Sequence, residues 1–273
     1  MYEYGNGEFE SISTADQCQQ AVIKEPIIYL PNLFSNINTV HLHTQNPDFQ
    51  LYIPQPKAIM SLAPQLSAVY DNFQKNAPVQ IVQTINGVNS DFEAAFKNQC
   101  TIKVGDKLPS FALSDALGKE VTSDELLKKG PLLISFYRGE WCPFCNLALR
   151  SLQLNLDKFQ AKGVTLVAIS PELPNTSLST TEKNELKFPV LSDVGNNFAR
   201  ELGIIFSMPD SIRPAFKAFG HDLVARNGDD SLEVPVPATL LVDGQGVVRN
   251  TYINPHYWER VEPSTVLEWI DGL

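Results

Sequence analysis

Positive charge is scarce in this sequence: 21 lysines and arginines stand against 31 aspartates and glutamates, a formal net charge of −10. Nucleic acid and anionic membrane surfaces reward clustered Lys and Arg, so neither is expected as a main partner, and a partner with a basic docking patch fits better. Long apolar runs are missing too; no stretch approaches the roughly 20 residues that cross a bilayer as a helix. The opening Met1-Tyr2-Glu3-Tyr4-Gly5-Asn6-Gly7-Glu8 has neither the basic nor the apolar part of a secretory signal, which makes the cytoplasm the default location. Cysteine is sparse: 4 in 273 residues cannot build a disulfide scaffold. In a reducing compartment a close pair of cysteines is more often catalytic, redox-active or metal-binding. No internal repeat is present.

What remains is an ordinary globular composition, 43% hydrophobic and 19% charged, on a chain long enough for one large domain with an appendage. Residues 1–59 are rich in Asn, Gln, Pro and Ile and keep no sustained period. The pieces 27–30 and 49–53 read as short strands between prolines. This part is expected to be a poorly ordered extension, or a mistranslated leader with Met60 as the natural start. Residues 60–101 carry two amphipathic helical stripes, Leu66, Val69, Tyr70 and Phe73, then Ile81, Ile85, Val88, Phe92 and Phe96, with Gly87 a weak point in the second. They are expected to pack on a main domain spanning 102–273.

In that domain a turn leads into a strand near Phe111-Ala112-Leu113. Thr122 and Glu125 then form a capping box for a short helix that Gly130 ends. Pro131 to Tyr137 is a nearly continuous apolar run, as is Val164 to Ser170. Between them a helical face, Leu149, Leu152, Leu156 and Phe159, closes at Gly163, which makes a parallel βαβ unit. A helix over 181–186, a strand over 188–193 and a helix over 196–202 follow. Residues 207–233 read as loops, residues 236–243 and 247–253 as a hairpin, and a final helix begins near Ser264. This order is the layout of a thioredoxin-like α/β fold, a central mixed sheet flanked by helices, here preceded by the helical segment and the extension.

The stretch Trp141-Cys142-Pro143-Phe144-Cys145 sits where the first apolar strand runs into its helix, at the strand end where open α/β sheets hold ligands. A thiol in the first turn of a helix faces unpaired N–H groups and the positive end of the dipole, which favour thiolate. A second sulfur three residues on can resolve the first oxidation product. The alternatives are half of a zinc site or a buried structural pair. The other zinc donors are Cys18, Cys100 and four scattered histidines, with His41 and His43 the one close pair. Arg138, four residues before Cys142, could lower a thiol pKa or orient an oxygen substrate, or form a surface salt bridge; Glu140 would push the thiol the other way. Pro237 at the start of a central strand reads as a cis proline facing the cysteine pair, with a loop proline as the alternative. Cys100 reads as a passive thiol in a linker, and His221 and His256 as surface or structural residues.

From about Lys103 to the C-terminus the sequence resembles the peroxiredoxin superfamily, the alkyl hydroperoxide reductase and thiol-specific antioxidant group. The resemblance rests on the opening Val104-Gly105-Asp106-Lys107-Leu108-Pro109-Ser110-Phe111 and on Tyr137-Arg138-Gly139-Glu140-Trp141-Cys142-Pro143-Phe144-Cys145. In the register of ordinary peroxiredoxins Arg138 stands for their proline, Cys142 for their threonine and Cys145 for the peroxidatic cysteine, while Pro237 falls where they carry a peroxide-binding arginine. In the thioredoxin register, with Trp141 just ahead, Cys142 is the nucleophile and Cys145 resolves. The resemblance implies a thiol-dependent peroxidase acting on hydrogen peroxide or organic hydroperoxides. A Cys142–Cys145 disulfide cycle would be restored by thioredoxin or a small thiol, with no metal or organic cofactor. A protein-disulfide oxidoreductase, docking its partner along Pro237, is the alternative use of the same pair, and a redox-sensing module is a third.

Overall fold

A computed structural model describes residues 61–273. The strands expected at 27–30 and 49–53, Cys18, and the His41 and His43 pair lie outside the described residues. Two helices come first, α1 (Leu62–Asn76) and α2 (Val79–Phe96), the second running unbroken through Gly87. Then follow β1 (Ala112–Asp115), β2 (Glu120–Thr122), α3 (Ser123–Leu127), β3 (Leu132–Phe136), α4 (Pro143–Gln153), α5 (Leu156–Ala161) and β4 (Thr165–Ser170). Next are α6 (Pro174–Lys183), β5 (Val190–Ser192), α7 (Asn197–Glu201), β6 (Ile205–Ser207), α8 (Arg213–Ala218) and α9 (Leu223–Asn227). The chain closes with β7 (Glu233–Pro235), β8 (Ala238–Val242), β9 (Val248–Ile253) and α10 (Pro263–Asp271).

Seven strands form one sheet in the order β2-β1-β5-β4-β3-β8-β9, and β6 pairs with β7 in a separate ribbon. Strands β3, β4 and β5 are parallel; β8 runs antiparallel to both β3 and β9. This is the thioredoxin fold, β3-α4-β4 followed later by β8-β9-α10, widened at one edge by β1 and β2. Every residue of β3 is buried, because helices cover both faces of a parallel sheet, and that explains why the strand reads as an apolar run without alternation.

Local signals account for several boundaries. The Thr122 hydroxyl accepts from the Glu125 N–H at 3.2 Å, the expected cap of α3. The helix expected after the cysteines is two helices, α4 and α5. Its break falls at Asn155, whose side-chain amide donates to Ser151 O at 2.9 Å, a local bond that competes with helix continuation. The helix expected over 181–186 instead begins at Pro174 and ends before Glu185, which adopts φ 52°. Residues 207–233 hold α8, α9 and parts of β6 and β7, elements too short to show a period.

Helix α1 packs against α4, and Leu62, Leu66 and Val88 join the central hydrophobic core. The Glu262 carboxylate, just ahead of α10, accepts from the first N–H groups of α1, Leu62 at 3.0 Å and Ala63 at 2.7 Å. One carboxylate thereby caps the start of α1, where unpaired donors and the helix dipole both favour an anion.

Candidate active site

Strand β3 delivers the site. After Phe136 the Tyr137 N–H still bonds to Ile169 O at 3.0 Å; then the chain leaves the sheet through Arg138 and Gly139. Gly139 sits at φ 146°, and a Cβ there would lie 2.3 Å from Trp141 Nε1 and 2.9 Å from Glu172 Oε1. Only glycine allows both the turn and the indole folded back upon it. Cys142 is the N-cap of α4, and Pro143 takes the first helical position, where its missing N–H leaves nothing unsatisfied. Cys145 lies one turn in, and both sulfur-bearing residues are 0% exposed.

Two arginines address the two sulfurs. Arg138 Nη2 donates to Cys142 Sγ at 3.3 Å, and Arg260 Nη2 donates to Cys145 Sγ at 3.4 Å. Burial by itself pushes the Cys142 thiol up. A hydrogen bond from Cys145, the Arg138 and Arg260 charges and the bond from Arg138 overcome it and hold Cys142 well below the ordinary thiol range. Burial and the proton shared with Cys142 push Cys145 well above that range. The shared hydrogen bond and the two cations therefore favour thiolate at Cys142 over Cys145. Arg138 is itself 7% exposed and has its guanidinium carbon 4.0 Å from the Tyr257 ring centroid and 4.9 Å from that of Trp141. The two rings fix its fork and supply cation–π attraction in place of water.

The model of the AhpC/TSA family matches residues 104–251, more than half of the chain. The chain belongs to the AhpC/TSA family. Among curated relatives, the bcp protein of Buchnera aphidicola is 33% identical over 38% of this chain and 65% of its own length. The match thus spans just under two thirds of that relative. Chloroplastic peroxiredoxin Q of Populus jackii is 26% identical over 67% of this chain and 78% of its own. Peroxiredoxin Bcp of Escherichia coli is 29% identical over 38% and 65%. Among solved structures, peroxiredoxin 6 of Arenicola marina superposes with a TM-score of 0.51 at 16% identity, covering 62% of this chain and 72% of that one, which is a likeness of fold. The AhpC/TSA match includes the cysteine pair, Arg138 and Trp141, but stops short of α1, α2, Tyr257 and Arg260.

Within this AhpC/TSA site four residues singled out by sequence, Arg138, Trp141, Cys142 and Cys145, come together. Arg138 points at sulfur and, among the described residues, makes no salt bridge with a carboxylate. Glu140 does not oppose it: its carboxylate turns to Lys183 and to Arg226 Nη1, the latter at 2.8 Å. Pro237 departs from expectation. No peptide among the described residues is cis. The Val236 N–H bonds to Ile204 O at 2.7 Å, so the chain enters β8 as an extended continuation of the β6–β7 ribbon. Pro237 falls one residue before the β3–β8 ladder begins at Ala238, where no donor is needed. Strand β8 itself is bonded on both sides, by β3 and β9. Cys100 is an exposed free thiol between α2 and β1, and the His221 ring lies tilted beside that of Trp141, with centroids 5.9 Å apart.

Sequence reasoning missed Glu172, Tyr257 and Arg260. Glu172 is 0% exposed; its carboxylate accepts from Glu140 N at 2.9 Å and pairs with Arg226 at 3.3 Å, bracing the loop ahead of Cys142. Burial, only partly offset by that N–H and by Arg226, pushes its pKa up to about 7. A signal existed for Glu172, since it follows β4 at the same sheet end as the cysteines. Tyr257 and Arg260 lie more than a hundred residues from the pair in a loop without a motif.

Proposed function

We propose that this chain is a thiol-dependent peroxidase whose dithiol cycle runs between Cys142 and Cys145. The Cys142 thiolate attacks the terminal oxygen of a hydroperoxide. The O–O bond breaks, Cys142 becomes a sulfenic acid, and the departing alkoxide or hydroxide takes a proton from water. The Cys145 sulfur then attacks the sulfenic sulfur. A disulfide forms, and the released hydroxide leaves as water with the Cys145 proton. Thioredoxin or a small thiol returns two electrons and two protons. A reducing compartment such as the cytoplasm suits this cycle; among the described residues no helix is long and apolar enough to cross a membrane.

One observation carries the reading: two buried sulfurs one helical turn apart, Cys142 met by Arg138 at 3.3 Å and Cys145 by Arg260 at 3.4 Å, where hydrogen bonding from Cys145 and the charge of Arg138 lower the Cys142 pKa and burial raises that of Cys145. Arg138 also offers N–H groups to the oxygens that gain charge as the O–O bond opens. Complete burial of both sulfurs weighs against a protein disulfide as the first substrate and favours a small one. The relatives named peroxiredoxin point the same way.

The assignment is tested with Cys142→Ser and Cys145→Ser. Peroxide is added to each reduced variant and sulfenic acid is trapped for mass spectrometry. The label is expected in Cys145→Ser, on Cys142. Label on Cys145 in the other variant, or oxidation of the wild type no faster than free cysteine, refutes the assignment.

A further inference from the structure

Arg260 differs from the other residues of the site in where it comes from and in what it touches. It lies in the loop between β9 and α10, beyond the last residue that the AhpC/TSA model matches. Its Nη1 donates to Tyr257 O and to Glu259 O, both at 2.6 Å, so two carbonyls of its own loop hold the guanidinium in place. Nη2 is left for Cys145 Sγ at 3.4 Å. Its hydrogen-bond partners among the described residues are thus two carbonyls and a sulfur, with no carboxylate to offset its charge. Being half-buried, it keeps the contact with solvent that a lone cation needs. Arg138 is aimed at the first sulfur and Arg260 at the second.

The two sulfurs need negative charge at different moments of the cycle. In the reduced pair Cys142 is the sulfur that meets peroxide. Burial raises the Cys145 pKa, and the hydrogen bond to Cys142 and the charge on Cys142 raise it further, while Arg260 and then Arg138 pull it down. Once Cys142 has become a sulfenic acid its charge is gone, and both arginines remain. Tyr137, the other titratable group beside Cys145, stays neutral because burial pushes its pKa up. The step that follows calls for charge on Cys145, since a thiolate rather than a thiol attacks sulfur. An N–H already placed on that sulfur meets the charge without rearrangement, as a preorganised donor does when it lowers a barrier.

We propose that Arg260 is a catalytic residue of the resolving step, the group that holds the Cys145 sulfur as thiolate when it attacks the sulfenic acid on Cys142. The inference rests on the peroxidase reading above. In this step the S–S bond forms, the S–O bond of the sulfenic acid breaks, and the hydroxide leaves as water with the proton that Cys145 gives up. Arg260 donates to the charge that Cys145 carries between losing that proton and closing the disulfide. The order of events is built into the pair, because oxidation of the first sulfur removes the charge that opposes ionisation of the second.

Rapid mixing of the reduced full chain with hydrogen peroxide separates the two steps. The first change in Trp141 fluorescence has a rate that rises with peroxide concentration; the second, independent of it, reports disulfide formation. Arg260→Gln is expected to slow the second phase roughly 10- to 100-fold, the scale of a charge-assisted hydrogen bond, and the first phase by less, whereas Arg138→Gln slows chiefly the first. Raising the pH should recover the second phase of Arg260→Gln, because the thiolate then forms without its cation. The longer-lived sulfenic acid should leave more sulfinic acid on Cys142 at high peroxide, read by mass spectrometry. Arg260→Lys keeps the charge without the fork and should slow the second phase to a smaller degree; it gives the same comparison of phases if the glutamine variant does not fold. A second phase that slows no more than the first, or by the same factor at every pH, overturns the proposal.

A further measurement needs no peroxide. In Cys142→Ser the charge beside Cys145 is absent, as it is in the sulfenic acid. By the ultraviolet absorbance of the thiolate, Cys145 should ionise at least about one pH unit lower in that variant than in the double variant Cys142→Ser, Arg260→Gln, and the difference cancels the titrations of Cys18 and Cys100. Equal titrations count against Arg260. Rapid first-phase oxidation with a second phase indifferent to Arg260 removes this proposal and leaves the peroxidase reading standing. Peroxide that oxidises Cys142 no faster than free cysteine removes both.

Discussion

Glu172 makes the stability of the site pH-dependent, and its burial sets the sign of the effect. The carboxyl group is 0% exposed and its pKa is pushed from 4.5 to about 7, because desolvation outweighs the Glu140 N–H and the Arg226 ion pair. A group whose folded pKa is raised stabilises the fold fully below its unfolded value and loses that contribution as pH rises through the folded one. Between pH 4.5 and about 7 the native protein retains a proton that the unfolded chain has released. Stability should therefore fall by about 1.4 kcal/mol per pH unit across that window, about 3 kcal/mol in all, and level off above it. The assay is urea denaturation of wild type and Glu172→Gln at several pH values. The variant removes the titration while keeping an oxygen for the Glu140 N–H, so the difference between the two curves isolates this group from every other titration. A difference that does not change with pH would refute the reasoning. It would mean that Arg226, at 3.3 Å, compensates the desolvation fully and Glu172 titrates like an exposed carboxyl.

Two further outcomes follow from the same geometry. Arg138→Gln removes a charge-assisted bond worth about 1.5–3 kcal/mol, so oxidation by peroxide at neutral pH should slow roughly 10- to 100-fold and its pH profile move to higher pH, as read by rapid mixing. Gly203→Ala places a Cβ 1.8 Å from Cys100 O at φ 69°, where backbone rather than a flexible side chain must give way. It should cost roughly 3 kcal/mol or more of stability by thermal denaturation, with an unchanged melting temperature as the contrary result.

The thioredoxin core was readable because its signals are local. Apolar runs mark β3 and β4, Thr122 and Glu125 mark the start of α3, and the spacing of Cys142 and Cys145 at a strand-to-helix junction marks the cysteine pair. Short elements such as β6, α8, α9 and β7 escaped, since three to six residues are too few to show a period. Pro237 shows the limit from the other side: a proline at a strand start permits more than one conformation. The Val236 bond to Ile204 and the ladder beginning at Ala238, both made with distant strands, selected the extended trans form.

By itself, then, the sequence determined the fold class and which two sulfurs stand together at a helix start, because helix, strand and helix-start signals depend on residues a few positions apart. Only the tertiary structure sets the two sulfurs apart, with hydrogen bonding from Cys145 and the arginine charges lowering the Cys142 pKa and burial raising that of Cys145. That depends on Arg138 and Arg260 meeting the sulfurs at 3.3 Å and 3.4 Å, and on burial that no spacing along the chain encodes. The same holds for the cavity of about 340 Å³ that Arg138, Trp141 and Phe144 line. Helices α1 and α2 read as amphipathic, but that their apolar faces enclose space next to Arg138 and Trp141 follows from where α4 and Glu262 hold α1, and Coulombic and packing forces act through space rather than along the chain.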